Sequence, residues 1–369
     1  MSSSQQQQSP IRAAVLGYGL AGSVFHAPLI ASVAGMEVAV IVTANPERQA
    51  RARRDYPTAR VLATSDALFA DPTAVDLVVV ATPNDSHLAL GMAAIQAGLP
   101  VVIDKPFTST SADARQLIDA AAAANVPLTV FQNRRWDSDF RTLQALLTAG
   151  ALGDIVRFES RYERYRPTVN TDAWREHAAP QEAGGLLFDL GAHLIDQALV
   201  LLGDPVSVYA ESDARRPGAQ VDDDTFVALR FANGSVAHLW MSVLVRRLGP
   251  RYRVVGNRGL YEKYGLDTQE DLLRTGGRPD DEGWAREPES IWGRLYTDIG
   301  EVSVAAVAKS LPGSYETFYQ MVRDAIRAGS PLPVDPHDAL KTIRVIEAAR
   351  ASATSGQVIP FDAALPADA

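Results

Sequence analysis

Three short stretches hold the residue types best suited to chemistry. The first is Gly17-Tyr18-Gly19-Leu20-Ala21-Gly22, directly after an apolar run at 13–16. The second is Asp104-Lys105-Pro106, and the third runs from Gly184-Gly185 through Asp189 to His193. Glycines spaced G-x-G-x-x-G between a strand and a helix suit a dinucleotide pyrophosphate. Gly17 allows the tight turn, Gly19 lets the backbone approach the phosphates, and Gly22 lets the helix pack close to the strand. A helix starting near Leu20 and Ala21 offers free N–H groups and the positive end of its dipole. Asp189 and His193 stand one helical turn apart and share a face, with Asp196 three residues on. That spacing fits an acid–base pair and equally a core histidine satisfied by a neighbouring acid. As a metal site it lacks the His-Glu-x-x-His pattern. Lys105 beside Asp104 fits a surface ion pair or an ammonium at a reacting centre. Read together, the stretches predict a nicotinamide-dependent dehydrogenase and no bound metal.

The elements that must position these residues follow from the apolar pattern. Short apolar runs at 11–16, 38–42, 77–81, 101–103 and 128–131 alternate with helical stretches at 25–33, 48–55, 87–97 and 112–124. Strands alternating with helices predict a parallel, doubly wound sheet over residues 11–133, a Rossmann-type dinucleotide-binding domain. Beyond it come a helix at 140–147 and alternating stretches at 155–162, 206–211, 226–231, 236–244 and 252–256. Asn233-Gly234 is a hairpin signal. The pattern predicts an α+β domain with antiparallel strands over 134–369, closed by helices at 317–328 and 337–352. The stretch 266–292, dense in Asp, Glu, Gly and Pro, reads as mostly loop. The triplet Asp222-Asp223-Asp224 reads as a solvated loop outside the site.

Cofactor contacts are expected where parallel strands end. The second strand ends Thr43-Ala44-Asn45-Pro46 with no acid to bond a ribose 2′-hydroxyl, and Arg48 lies within a turn, which favours NADP over NAD. Thr43 and Asn45 serve equally well as helix caps. Thr82-Pro83-Asn84 follows the third long strand, where it lines a cofactor or simply turns the chain. His87 is a helix-start residue or a cofactor neighbour. Arg134, Trp136, Tyr162, Trp174 and Arg175 are candidate substrate contacts, since aromatic faces pack on sugar rings and arginines donate to hydroxyls. Tyr162 and Trp174 would equally fill an inter-domain core.

Bulk properties narrow the function. The 369 residues carry a formal charge of −9, which disfavours general nucleic-acid binding. The absence of cysteine excludes disulfides, thiolate metal sites and cysteine nucleophiles. The Ser- and Gln-rich residues 1–10 read as a disordered tail, with no secretory signal and no apolar run long enough to span a bilayer. A cytoplasmic protein is expected.

At this point the motifs resemble those of the Gfo/Idh/MocA oxidoreductases, a family named for glucose-fructose oxidoreductase and inositol dehydrogenase. The likeness covers nearly the whole chain after the tail. It rests on the glycine loop, on Asp104-Lys105-Pro106 (commonly Glu-Lys-Pro in the family) and on the stretch from Asp189 to His193. Asn133-Arg134-Arg135-Trp136-Asp137-Ser138-Asp139 and the segment 188–197 look like the branch of NADP-dependent scyllo-inositol dehydrogenases. The resemblance implies catalytic roles for Lys105, Asp189 and His193, and cofactor contacts that include Asp104, Lys105 and Asn133. It further implies an open antiparallel sheet in the second domain, a dimer or tetramer built on that sheet, and a cyclic polyol or sugar as substrate. Two alternatives remain: a ligand-sensing regulatory protein on the same scaffold, and a reductase for a keto sugar.

Overall fold

The computed structural model describes residues 9–170 and 183–362. Trp174 and Arg175, and most of the expected N-terminal tail, lie outside the described residues.

Six parallel strands form the first sheet: β1 (Ile11–Leu16), β2 (Met36–Val42), β3 (Arg60–Leu62), β4 (Leu77–Val80), β5 (Val101–Asp104) and β6 (Leu128–Phe131), in the order β3-β2-β1-β4-β5-β6. The central strands are almost wholly buried; β4 is Leu-Val-Val-Val with no exposed position. Successive residues feed opposite faces, as a pleated strand requires. Leu16, Val78, Val80 and Ile103 enter one core, whereas Val15, Leu77, Val79 and Val102 enter the other. The strand order reverses between β1 and β4, which opens a crevice at the carboxyl ends of the strands.

The second sheet has nine strands in the order β14-β13-β12-β11-β7-β10-β9-β8-β15. They are β7 (Ile155–Glu163), β8 (Pro205–Asp213), β9 (Asp224–Phe231), β10 (Val236–Ser242), β11 (Tyr252–Gly256), β12 (Gly259–Lys263), β13 (Gly293–Ile299), β14 (Val302–Ala308) and β15 (Ile359–Pro360). The expected antiparallel pairing holds at every neighbour except β7 and β10, which run parallel, so the sheet is mixed. The predicted Asn233-Gly234 turn joins β9 to β10, with Gly234 at φ 87°. The strands β3, β12, β13 and β14 carry too weak a period, or are too short, to stand out in the sequence.

The principal helices are α1 (Ala27–Ala31), α2 (Pro46–Asp55), α3 (Ser65–Phe69), α4 (His87–Gln96), α5 (Ser111–Ala124), α6 (Ser138–Thr148), α7 (Ala192–Leu202), α8 (Gln269–Arg274), α9 (Glu316–Ala328) and α10 (Pro336–Ser355). Wider π-helical turns lead into α1 (Ala21–His26) and α7 (Leu187–Gly191), at the two segments singled out for chemistry; such turns often mark functional sites. The closing helices return to the first sheet. Tyr315, Phe318, Tyr319 and Val322 of the α9 region pack in one of its cores, and α10 joins the other with Ile343 and Ile346.

The expectation of mostly loop over 266–292 misses α8. Asp267 sits before this helix and accepts the Gln269 N–H at 2.7 Å, Glu270 and Asp271 occupy its first turn, and Arg274 its last. These charges suit the helix dipole. Leu273 inserts into the core on the α9 side of the first sheet, so a short helix of the second region is fastened to the first.

Candidate functional site

The glycine loop builds as its spacing predicts. Gly17 has φ 93°, and a Cβ there would collide with the Ala81 carbonyl. A Cβ on Gly22 would collide with the Gly17 carbonyl. A Cβ on Gly19 would meet only the Arg48 guanidinium, at 3.7 Å. The loop floors a cleft of about 670 Å³ whose lining includes Gly17, Gly19, Leu20, Ala21, Thr43, Arg48, Thr82, Pro83 and Asn84. Thr64 and Ser65, which sequence reasoning passed over, line it too. A bare backbone cradle beside a guanidinium fits a dinucleotide's phosphates.

Two expected cofactor contacts have other work. Asn45 caps α2 by accepting the Arg48 N–H at 3.0 Å, the capping alternative, and does not line the cleft. His87 is fully buried, with Nε2 3.1 Å from the Thr82 carbonyl and Nδ1 3.1 Å from that of Pro106. It ties the loop after β4 to the loop after β5 and does not reach the cleft.

Asp104 and Lys105 border both the cleft and a second cavity beside it. That cavity is lined by Phe25, Asn133, Arg134, Asp189, His193 and others, so all three expected catalytic residues meet there. Asn133, expected at the cofactor, stands on this side. The Lys105 Nζ donates to the Asp189 carbonyl at 2.8 Å and to its Oδ1 at 3.0 Å. An ammonium from the first sheet is thereby locked to the segment that carries His193. The Lys105–Pro106 peptide is cis.

Behind Lys105, the Asp104 carboxylate accepts the Lys105 N–H at 2.8 Å and faces His26 Nε2 at 3.7 Å. His26 is hydrogen-bonded in turn to the Tyr319 hydroxyl of α9. Burial alone would raise the Asp104 carboxyl; His26, Lys105 and His87 together hold it below its ordinary value.

The head of the π turn rests on Asp222, which overturns the reading of 222–224 as solvated. Asp222 Oδ2 accepts the Leu187 N–H at 2.8 Å and the Thr225 hydroxyl at 2.9 Å, and its carbonyl accepts the Leu186 N–H. Gly185, at φ 93°, is required because a Cβ would overlap the Asp222 carboxylate. Asp223 is buried against Arg216 at 2.8 Å. Asp196, on the helix of His193, pairs with Arg135 at 2.7 Å and does not line the cavity.

The substrate-side expectations divide. Arg134 lines the cavity, but its guanidinium is engaged with Glu270 at 2.7 Å and Asp137 at 3.4 Å. Trp136 packs edge-on against Phe318, and Tyr162 is buried with Arg134 and Arg251 over its ring at 5.0 and 4.9 Å; neither lines the cavity. Arg164, Glu270 and Arg274 line it instead, and sequence reasoning missed all three. Burial would raise the Glu270 carboxyl, yet Arg134 and Arg274 draw it down to about 2. Burial pushes the Asp137 carboxyl well up, against the pull of Arg134. No group of three or more His, Asp or Glu side chains among the described residues forms a metal-binding cluster.

A Rossmann cleft of this form, with a charged cavity at its end, suits a dinucleotide-dependent oxidoreductase. The family descriptions agree: the NAD-binding Rossmann fold of the Gfo/Idh/MocA oxidoreductases matches residues 11–132, and that family's C-terminal alpha/beta domain matches 144–361. The chain belongs to the Gfo/Idh/MocA oxidoreductase family. It is 39% identical to the NADP⁺-linked scyllo-inositol 2-dehydrogenase IolW of Bacillus subtilis, over 95% of this chain and 96% of that one. It is 42% identical to the oxidoreductase YdgJ of Escherichia coli K12, over 91% and 94%. The solved structure of the oxidoreductase yvaA of Bacillus subtilis aligns with a TM-score of 0.90 at 37% identity, covering 97% of this chain and all of that one.

The depressed Glu270 carboxyl gives a test. Its contribution to stability is complete above the ordinary value of 4.5 and is lost as pH falls towards about 2. The unfolding free-energy gap between wild type and Glu270→Gln is expected to be widest near neutrality and to close over that window in denaturant titrations. A gap independent of pH refutes the assignment.

Proposed function

We propose that this chain transfers a hydride between NADP and a secondary alcohol of a cyclic polyol or sugar, with scyllo-inositol the leading candidate. The observation that carries the reading is the meeting of Lys105, Asp189 and His193 in one cavity that shares Asp104 and Lys105 with the dinucleotide cleft.

A nicotinamide bound in the cleft supplies the hydride acceptor or donor. His193, as neutral imidazole, takes the hydroxyl proton of the alcohol. Lys105 donates a hydrogen bond to the same oxygen as negative charge grows on it. Asp189 holds the Lys105 ammonium in position through the two contacts described above. In the reducing direction His193 returns the proton and Lys105 polarises the ketone.

The NADP preference is supported by the end of β2, where Thr43 and Arg48 line the cleft and no acid stands to repel a 2′-phosphate. The relative IolW is NADP-linked by name. A homodimer or homotetramer is proposed on the face of the nine-stranded sheet that carries the ring cluster of Phe226, His238 and Trp240. No described helix is long and apolar enough to cross a membrane, and a cytoplasmic enzyme is proposed.

The decisive measurement is reduction of NADP⁺ and NAD⁺ with a panel of inositols and aldoses. Turnover of at least one polyol is expected. Tight cofactor binding with no turnover of any polyol or ketone would replace the enzyme by a ligand sensor. Lys105→Ala should lower kcat on the order of 10²-fold, because a transition-state donor is lost; a near-normal kcat removes Lys105 from the chemistry. Thr43→Asp should raise KM for NADP⁺ about tenfold or more relative to NAD⁺, and equal effects would move the 2′ position away from Thr43.

A further inference from the structure

The cavity holds four cations, and three of them are engaged by carboxylates. Lys105 is held by Asp189, while Arg134 and Arg274 share Glu270, at 2.7 and 2.8 Å. Arg164 differs. Its guanidinium makes no hydrogen bond or ion pair among the described residues, and its one ring contact is Tyr162, at 5.7 Å. Its backbone, by contrast, is fixed: the Arg164 N–H donates to the Ser242 carbonyl at 2.8 Å, and its own carbonyl accepts the Val245 N–H at 3.0 Å. A planar fork of donors is thus delivered into the cavity on an anchored stem with its hydrogen-bonding capacity unspent.

Glu270 is the complementary group. Among the described residues, Oε1 accepts two bonds from Arg274, at 3.0 and 2.8 Å, and Oε2 accepts one, from Arg134. A carboxylate oxygen has room for a second donor. The lining of this cavity therefore presents a donor fork and an acceptor site, the set that adjacent hydroxyls of a polyol need, since each hydroxyl both donates and accepts.

We infer that Arg164 and Glu270 form the specificity wall of the cavity, reading a pair of neighbouring hydroxyls on the ring away from the reacting carbon. This rests on the polyol reading above and assigns the recognition within it. Arg134, the arginine that sequence alone favours for this task, serves as a strut that holds Glu270. Helix α8 carries both Glu270 and Leu273, and Leu273 is seated in the first sheet's core, so Glu270 is tied to the nucleotide-binding half.

The test is a double-mutant cycle between protein and substrate. Arg164 is half-buried and makes no side-chain hydrogen bond or ion pair among the described residues, so Arg164→Ala and Arg164→Lys should both fold, which thermal melts verify. With whichever inositol the wild type turns over, Arg164→Ala should raise KM about tenfold or more, the value of a hydrogen bond to a charged group. KM for the cofactor should not move. Arg164→Lys should recover only part of the loss, since an ammonium cannot fork. Monodeoxy inositols complete the cycle: removing a hydroxyl read by Arg164 should cost the wild type at least fivefold in kcat/KM and cost Arg164→Ala less than twofold. Equal discrimination by both proteins overturns the inference. So does a wild type that prefers a uronate or a phosphorylated polyol by tenfold or more and loses that preference in Arg164→Ala, because the wall is then an anion site. If the wild type turns over no polyol at all, the proposed function itself fails, a result separate from either of these.

Discussion

The contact on which the site depends is the one between the Lys105 ammonium and two oxygens of Asp189. The lysine stands at the carboxyl edge of a parallel sheet, and the aspartate belongs to a segment 84 residues away that rests on the second sheet. An ammonium placed at a cleft without a partner would be free to swing on four rotatable bonds. Bound to a carbonyl and a carboxylate, it is held in one place. The ion pair therefore acts as an alignment device that fixes Lys105, which borders both cavities, against the segment that carries His193.

Each partner is held from behind. Asp104 fixes the Lys105 backbone and leans on the His26–Tyr319 pair, while His87 pins the loop on its other side. Asp222 holds the first turn of the segment carrying Asp189. Glu270 is kept ionised by two arginines, one of them buried. Most of the charges around the cavity are thus paired with one another, which fixes the side chains that line it.

What the sequence made legible follows from the range of each constraint. The glycine loop was readable because its requirement is local: a turn, an open backbone and a close helix contact fall within six residues. The parallel sheet was readable because burial on both faces leaves runs such as Leu-Val-Val-Val. Lys105, Asp189 and His193 were readable as candidates through family resemblance, whereas their spacing alone left a core reading open. Asp222 was misread because its partners lie 35 residues upstream, and three adjacent acids look solvated when nothing shows what they cap. Helix α8 was lost among glycines, prolines and acids, and with it Glu270 and Arg274. Tyr162 and Trp136 show the converse problem: an aromatic side chain has the same sequence signature whether it stacks on a sugar or fills a core.

The return of α9 to the first sheet has a consequence for how the molecule can be divided. Tyr315, Phe318, Tyr319 and Val322 occupy the same core as Val15, Val79 and Val102. A fragment ending near residue 133 would leave that face bare and deprive His26 of its phenol. The nucleotide-binding half is thus completed by residues that follow the second half's main strands in the chain. A swap of one half between relatives must therefore carry α9 with the N-terminal piece to keep that core whole.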